Sequence, residues 1–214
     1  MVVAVSGLAV VGFLIAHLAG NLLIYAGPMS FNKYAQGLRD LGALLWIMRG
    51  GILLAFAAHI FFAIKLKSLN NAARPVNYSV KTNVSSTLAS RSMFWTGLTI
   101  LSFVVFHLAH FTWGKIQPDK YSATWILTDG RTTHDAYKMT VAGFQEIWIS
   151  ALYLIAVTIV FLHLQHAVQS AFQTVGFNHP RYTPIVLKLS AGLSVLLWIG
   201  FASIPVCVLE GIVH

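Results

Sequence analysis

The sequence predicts an all-α membrane protein with five transmembrane helices, N-terminus inside and C-terminus outside. Three observations carry that prediction. The 214 residues are 57% hydrophobic and only 9% charged, against about 25% charged in a soluble domain. With a mean hydropathy of +0.73, such a chain cannot cover itself with polar surface, so its solvent is lipid. Five apolar stretches, roughly 1–26, 43–64, 93–113, 147–168 and 185–209, approach the ~20 residues that cross a bilayer core as a helix. Finally, the basic residues are distributed unevenly among the connections, which fixes the orientation.

The first stretch resembles a signal peptide only superficially. It lacks a basic leading region, runs too long and carries His17 and Asn21 in its second half, so it reads as a retained span. Between spans two and three lie Lys65, Lys67, Arg74, Lys81 and Arg91 with no acid, a net +5. Between spans three and four, four basic residues meet Asp119, Asp129, Asp135 and Glu146 and cancel. The last connection carries Arg181, with Lys188 just inside span five. Lys and Arg concentrate in cytoplasmic loops, so the second and fourth connections lie inside. The formal charge of +8 is therefore dispersed as a topology signal, and nucleic acid drops out as a partner. Residues 116–138 read as an irregular or partly helical outer loop. Pro75, Pro118 and Pro180 fall in loops, Pro184 suits the first turn of span five, and Pro205 is expected to kink that span. The whole of 1–214 reads as one transmembrane domain. A single cysteine excludes an internal disulfide and a thiolate-only metal site, and without C-x-x-C-H there is no covalent haem attachment.

Nine histidines are many for a membrane protein, and six of them (His17, His59, His107, His110, His163 and His166) fall inside apolar spans. Ionisable groups there are costly and mark function. His17, His59, His107 and His163 each sit about two-thirds of the way along their own helix. Successive helices run in opposite directions, so His17 and His107 share an outer level, and His59 and His163 an inner one. Two histidines per level on different helices is what two stacked bis-histidine haem sites require, with the first four helices forming the bundle around them. A lone intramembrane histidine is an ordinary helix–helix hydrogen-bond partner, but four at matching fractional depth are not easily explained that way. His110 and His166 lie three residues past His107 and His163 and share their helix faces, so periodicity leaves them open as ligands, roughly 4.5 Å further toward water. His107 and His163 are the favoured choice, with His110 and His166 as supporting or propionate-side groups. His134, His179 and His214 read as surface histidines, His179 within the turn chemistry of Asn178 and Pro180.

These residues, with their flanking motifs, resemble the cytochrome b subunit of succinate:quinone oxidoreductases (succinate dehydrogenases and fumarate reductases), specifically the single-subunit, five-helix, dihaem type. The resemblance is carried by SGLAVVGFLIAHLAGNL in span one, FNKYAQGLRDLG after it, RGGILLAFAAHI in span two, and ASRSMFWTG with its later FHL in span three. HLQHAVQSAFQTVGFNHPRYTP closes span four, and GFASIPV lies in span five. Together, in this order, they cover nearly the whole chain. The resemblance implies that His17 and His107 hold the iron of the distal haem b and His59 and His163 that of the proximal one. It implies a flavoprotein subunit with FAD, an iron–sulfur subunit, and a membrane quinone, menaquinone or ubiquinone, in a bacterial plasma membrane. The chain itself would be the non-catalytic anchor, the dicarboxylate chemistry lying on a partner. One departure stands out. Some fumarate reductases carry a buried carboxylate near the helix-four ligand as a proton route, whereas here Phe161 occupies that region and no acid follows Glu146 in the span.

Haem propionates seek Arg, Lys, Ser or indole donors at the membrane edge. Arg49 is placed for the outer haem, against the plainer reading of an interfacial arginine reaching to water. Ser6, Arg91 and Ser92 are placed for the inner one. Gly7, Gly12, Gly20, Gly50 and Gly97 are positions where helices or a macrocycle can approach closely. Trp46, Trp95, Trp113 and Trp148 at span ends make an aromatic belt. Asp40, the one acid of the first loop, is offered as a proton acceptor in quinol oxidation, against a helix-capping role for span two. Two other readings stand beside this one. A cytochrome b anchoring another respiratory dehydrogenase, such as a hydrogenase or formate dehydrogenase, is disfavoured by the ordered motifs. A haem-free, histidine-lined transporter is disfavoured by the lack of a polar stripe along the spans.

Overall fold

The computed structural model describes residues 1–73 and 88–214, of which 88–90 as backbone only. Arg74, Pro75 and Lys81 of the basic connection lie outside the described residues. The chain is mostly helical: α1 (Val2–Asn21) runs into a 3₁₀ turn over Leu22–Ala26, then come α2 (Pro28–Asp40), α3 (Ala43–Ala72) and α4 (Leu88–His107), the last continued by a π-helical turn over Leu108–Thr112. A short α5 (Pro118–Tyr121), a hairpin of β1 (Thr124–Ile126) and β2 (Thr132–His134), α6 (Ala136–Phe144), α7 (Ile147–Thr174) and α8 (Thr183–Leu209) follow. Five segments, Val2–Ala26, Ala43–Ala72, Arg91–Thr112, Ile147–Thr174 and Thr183–Leu209, are long and apolar enough to cross a membrane. The chain is accordingly a multi-pass membrane protein.

Several boundaries differ from the sequence reading. α3 and α7 run to 30 and 28 residues, about 45 and 42 Å at the α-helical rise, past the expected ends at 64 and 168. A helix can outrun its apolar stretch, as through the polar Lys65–Asn71, because its backbone bonds are internal. Residues 116–138 are ordered as α5, the hairpin and the start of α6, with Trp125 opposite Thr133 in the antiparallel pair. α8 runs unbroken through Pro205. The capping role for Asp40 is also overturned. Asp40 is the last residue of α2, and Gly42, at a φ of 54° open mainly to glycine, stands at the N-cap of α3.

One end of the bundle is closed by a cap of α2, the hairpin and α6. Asn32, fully buried, ties these together: its Nδ2 donates to Asp135 Oδ1 at 2.9 Å and its Oδ1 accepts the Tyr137 N–H at 3.0 Å. Asp135 in turn accepts the Lys138 N–H at 2.9 Å, capping α6. Beneath the cap, Ile24, Phe31, Tyr137, Phe144, Ile149 and Tyr153 form the main apolar core.

The membrane helices pack unequally. α1 packs on α3, α7 and α8, and α7 packs on α1, α4 and α8. Ser190 and Ser194 are buried on α8, each returning its hydroxyl to a carbonyl of its own helix at 2.7 Å. Small residues of this kind let helices approach closely in lipid. α3, by contrast, buries no residue. Among the described residues α3 and α4 are not extensively packed on one another, and neither are the diagonals α1 with α4 and α3 with α7. The four histidine-bearing helices thus form an arc, α3–α1–α7–α4, open along one side.

Candidate functional site

His17 lies on α1, His59 on α3, His107 on α4 and His163 on α7. Near the capped end the rings of His17 and His107 are 5.9 Å apart between centroids, their planes at 84°. Toward the opposite end His59 is within electrostatic reach of His163. Each pair therefore spans a diagonal of the arc, between helices that are not extensively packed on one another. If a haem were bound at this level, His17 and His107 would be the residues to hold its iron. Among the described residues no three His, Cys, Asp or Glu side chains converge as metal ligands.

The hydrogen bonds of the far-end pair fix which ring nitrogen is free. His59 Nδ1 is 3.1 Å from the Val3 carbonyl. A carbonyl only accepts, so Nδ1 carries the proton and a neutral ring leaves Nε2 bare. His163 Nδ1 is 3.0 Å from Thr96 Oγ1. That hydroxyl spends its single proton on its own helix, at the Ser92 and Met93 carbonyls, both 3.1 Å away. It therefore accepts from His163 Nδ1–H, and Nε2 is again bare. A ligating histidine typically donates its other ring N–H in this way, which orients the ring. Gly7 makes the room: a Cβ there would stand 3.1 Å from His59 Cε1. Gly97 faces His163 similarly, at an ordinary contact distance of 3.6 Å.

At the capped end the His17 ring meets Phe13 (5.3 Å), His107 and Phe201 (both 5.9 Å), while its carbonyl accepts from Asn21 Nδ2 at 2.8 Å. His107 Nδ1 lies 3.2 Å from Tyr153 Oη. His110, only 2% exposed, lies 3.1 Å from the same hydroxyl through Nδ1 and 2.8 Å from Gln117 Oε1 through Nε2. His166 sits beside His163, half-buried.

The remaining residues singled out from sequence fall as follows. Arg49 is exposed with its guanidinium 5.0 Å over the Trp46 ring. Ser6 is buried, and its hydroxyl donates to the Val2 carbonyl at 2.7 Å, so its proton is spoken for within α1. Arg91 is exposed, and the Ser92 carbonyl serves Thr96. Gly20 lies against the Tyr34 ring, while a Cβ at Gly12 or Gly50 would meet nothing within 4 Å. Trp46, Trp95, Trp113 and Trp148 are all more than half exposed. Asp40 is exposed, accepts from Gln36 Nε2 at 2.7 Å and pairs with Arg131 at 3.1 Å. These two partners hold its carboxyl below the usual carboxylate range. His134 is not a free surface group: it lies against the Tyr121 ring, 4.7 Å between centroids, and 3.3 Å from Met139 Sδ.

Sequence reasoning missed Tyr153, Gln117 and Thr96. A tyrosine in the middle of an apolar span must find a partner for its hydroxyl, and that was the available signal for Tyr153. Thr96 and Gln117 carry none, because their partners are far away in sequence or set by a loop.

No protein-family model, no curated protein and no solved structure matches the chain.

Proposed function

We propose that the chain is the cytochrome b membrane anchor of a succinate:quinone oxidoreductase, binding two b haems, one between His17 and His107 and one between His59 and His163. The observation that carries this reading is the placement of two histidine pairs across the diagonals of a four-helix arc. His59 and His163, moreover, each spend Nδ1–H on a fixed acceptor and leave Nε2 bare. When bound, haem iron supplies reversible one-electron chemistry. The chain's residues do the rest. The Val3 carbonyl and Thr96 orient the far-end ligands, Gly7 gives His59 its space, and the α1–α7–α8 seam excludes water from one side. Arg49, Arg91, Ser6 and Ser92 are the candidates for the propionate ends, with Ser6 able to serve only after releasing its α1 carbonyl.

In this reading the capped end faces outward and the basic extension of α3, with Lys65 and Lys67, faces inward. There it meets an iron–sulfur subunit and a FAD-bearing flavoprotein in a bacterial plasma membrane. Electrons pass between those partners and a menaquinone or ubiquinone. Asp40 stands on the quinol side as a proton acceptor of reduced basicity. Asp40→Asn is expected to slow quinol turnover while both haems stay bound, and unchanged turnover removes Asp40 from that role. The reading of a hydrated transport path gains no support, because the buried serines of α1 and α8 bond their own helix carbonyls rather than line a continuous polar stripe.

The test is a reduced-minus-oxidised absorption spectrum of the purified complex with haem counted per polypeptide, followed by reoxidation with fumarate. Two b haems per chain that respond to the dicarboxylate support the proposal. Haem without a dicarboxylate response moves the chain to the anchor of another dehydrogenase, and no haem overturns the cytochrome reading.

A further inference from the structure

At the capped end, a chain of hydrogen bonds joins His107, at the end of α4, to Gln117 in the loop that follows, and its direction can be worked out from the loop inward. Gln117 Oε1 is an amide oxygen and only accepts, so the His110 nitrogen 2.8 Å away, Nε2, carries a proton. A neutral His110 then has a bare Nδ1, which needs a donor. The group 3.1 Å from it is the Tyr153 hydroxyl, which has one proton to give. Having given it, the tyrosine oxygen is an acceptor toward its other neighbour, His107 Nδ1 at 3.2 Å. His107 therefore carries its proton on Nδ1 and presents a bare Nε2. This matches the state of His59 and His163, reached through a different set of partners.

The surroundings hold this chain in place. The π-helical turn Leu108–Thr112 begins directly after His107 and contains His110. Such wide turns recur at functional sites, and here both histidines reach one hydroxyl. Tyr153 is walled by Phe103, Phe111 and Phe144 at 5.1, 5.6 and 4.9 Å between ring centroids. Water is thus kept from a hydroxyl whose hydrogen bonds are all made within the protein, where they are at their strongest. Gly143 of α6 closes over the outer bond: a Cβ there would stand 3.2 Å from Gln117 Oε1 and 3.4 Å from His110 Nε2.

We propose that Tyr153 is a positioning residue that fixes His107 as an Nε2 ligand and sets its donor strength, with His110 and Gln117 holding the tyrosine's proton in one direction. The proposal rests on the haem reading above. An acceptor on the distal ring N–H raises the basicity of a ligating imidazole and favours the oxidised metal. Losing the acceptor is expected to raise the midpoint potential of the haem at this level and leave the other unchanged.

The experiment is an optical redox titration of both haems in the intact complex, comparing wild type with Tyr153→Phe and Gln117→Leu. The expected result is two haems in each protein, with one midpoint shifted upward in Tyr153→Phe and the same midpoint shifted less in Gln117→Leu. Two haems with both midpoints unchanged in Tyr153→Phe, or with both moved equally, overturns the proposal. If Tyr153→Phe fails to assemble, Gln117→Leu decides alone: an upward shift of one midpoint supports the role, and no shift overturns it. A wild-type complex without haem would defeat the underlying reading instead, and the two failures are therefore distinguishable.

Discussion

The two histidine levels solve one problem with different materials. At the far end, His59 is oriented by a main-chain carbonyl of α1 and His163 by a threonine whose proton is already committed to its own helix. Each orienting group belongs to another helix, Val3 to α1 and Thr96 to α4, and α3, which carries His59, buries none of its residues. At the capped end, His107 is oriented by a tyrosine on another helix, itself held by a histidine and a loop glutamine, all beneath a cap sealed by its own core. Backbone-fixed orientation is hard to tune by mutation, whereas orientation through side chains can be altered one residue at a time. His59, whose partner is a main-chain carbonyl, is therefore the ligand least open to adjustment through its hydrogen bond.

The largest expected effect breaks one level and spares the other. On the proposed dihaem reading, His107→Ala should lower the haem content from two per chain to one, and so should His163→Ala, each leaving a different residual spectrum. If either variant kept both haems, His110 or His166, three residues on, would take over as the ligand at that level. Next comes Gly7→Val. A Cβ at Gly7 already stands 3.1 Å from His59 Cε1, so a branched side chain should displace that ring and selectively lower occupancy at the far-end level. Haem counted with both midpoints measured gives the answer, and equal loss at both levels would point to a general packing defect.

Thr96→Val is milder. It removes the acceptor of His163 Nδ1–H in a setting with no water to replace it, which costs about 1–3 kcal/mol. A lower thermal midpoint and an upward shift in the far-end potential should result, both restored by Thr96→Ser, which keeps the hydroxyl. The smallest effect sharpens the contrast between cap and bundle. Asp40 and Asp129 are held below their ordinary 3.8, Asp40 by Gln36 and Arg131 and Asp129 by the Arg131 backbone N–H and side chain. His134 is held below 6.5 by burial and by nearby Arg39. Each binds protons more weakly in the folded cap than when free, so its contribution is full above the ordinary value and declines as pH falls. The hairpin should loosen first below pH 6.5 as His134 is lost, then again below 3.8. Amide exchange at Thr132–His134, corrected for intrinsic rates, should rise over these windows while that of α7 stays constant.

The membrane helices were legible because hydropathy over some twenty residues is a strong, redundant signal, and so were the depths of the histidines, which need only helix rise and chain direction. Other features were less so. The ends of α3 and α7 outrun their apolar stretches, where hydropathy no longer reports on helix. α2 and the hairpin depend on Asn32 meeting Asp135 and Tyr137 across more than a hundred residues, and Asp40 was placed at the wrong helix because the Gly42 turn looks much like any polar loop.

By itself, then, the sequence determined that this protein is a multi-pass membrane protein and how many times it can cross, and it put histidines at two depths of four of its spans. All of these follow from composition and one-dimensional spacing. Only the tertiary structure decided that each pair joins helices that are not extensively packed on one another, and which groups stand beside the Nδ1 atoms of His59, His107 and His163. It also decided that His107 and His110 both reach the Tyr153 hydroxyl. Those depend on which groups meet across helices, and in a medium without water each buried donor must find its acceptor within the protein.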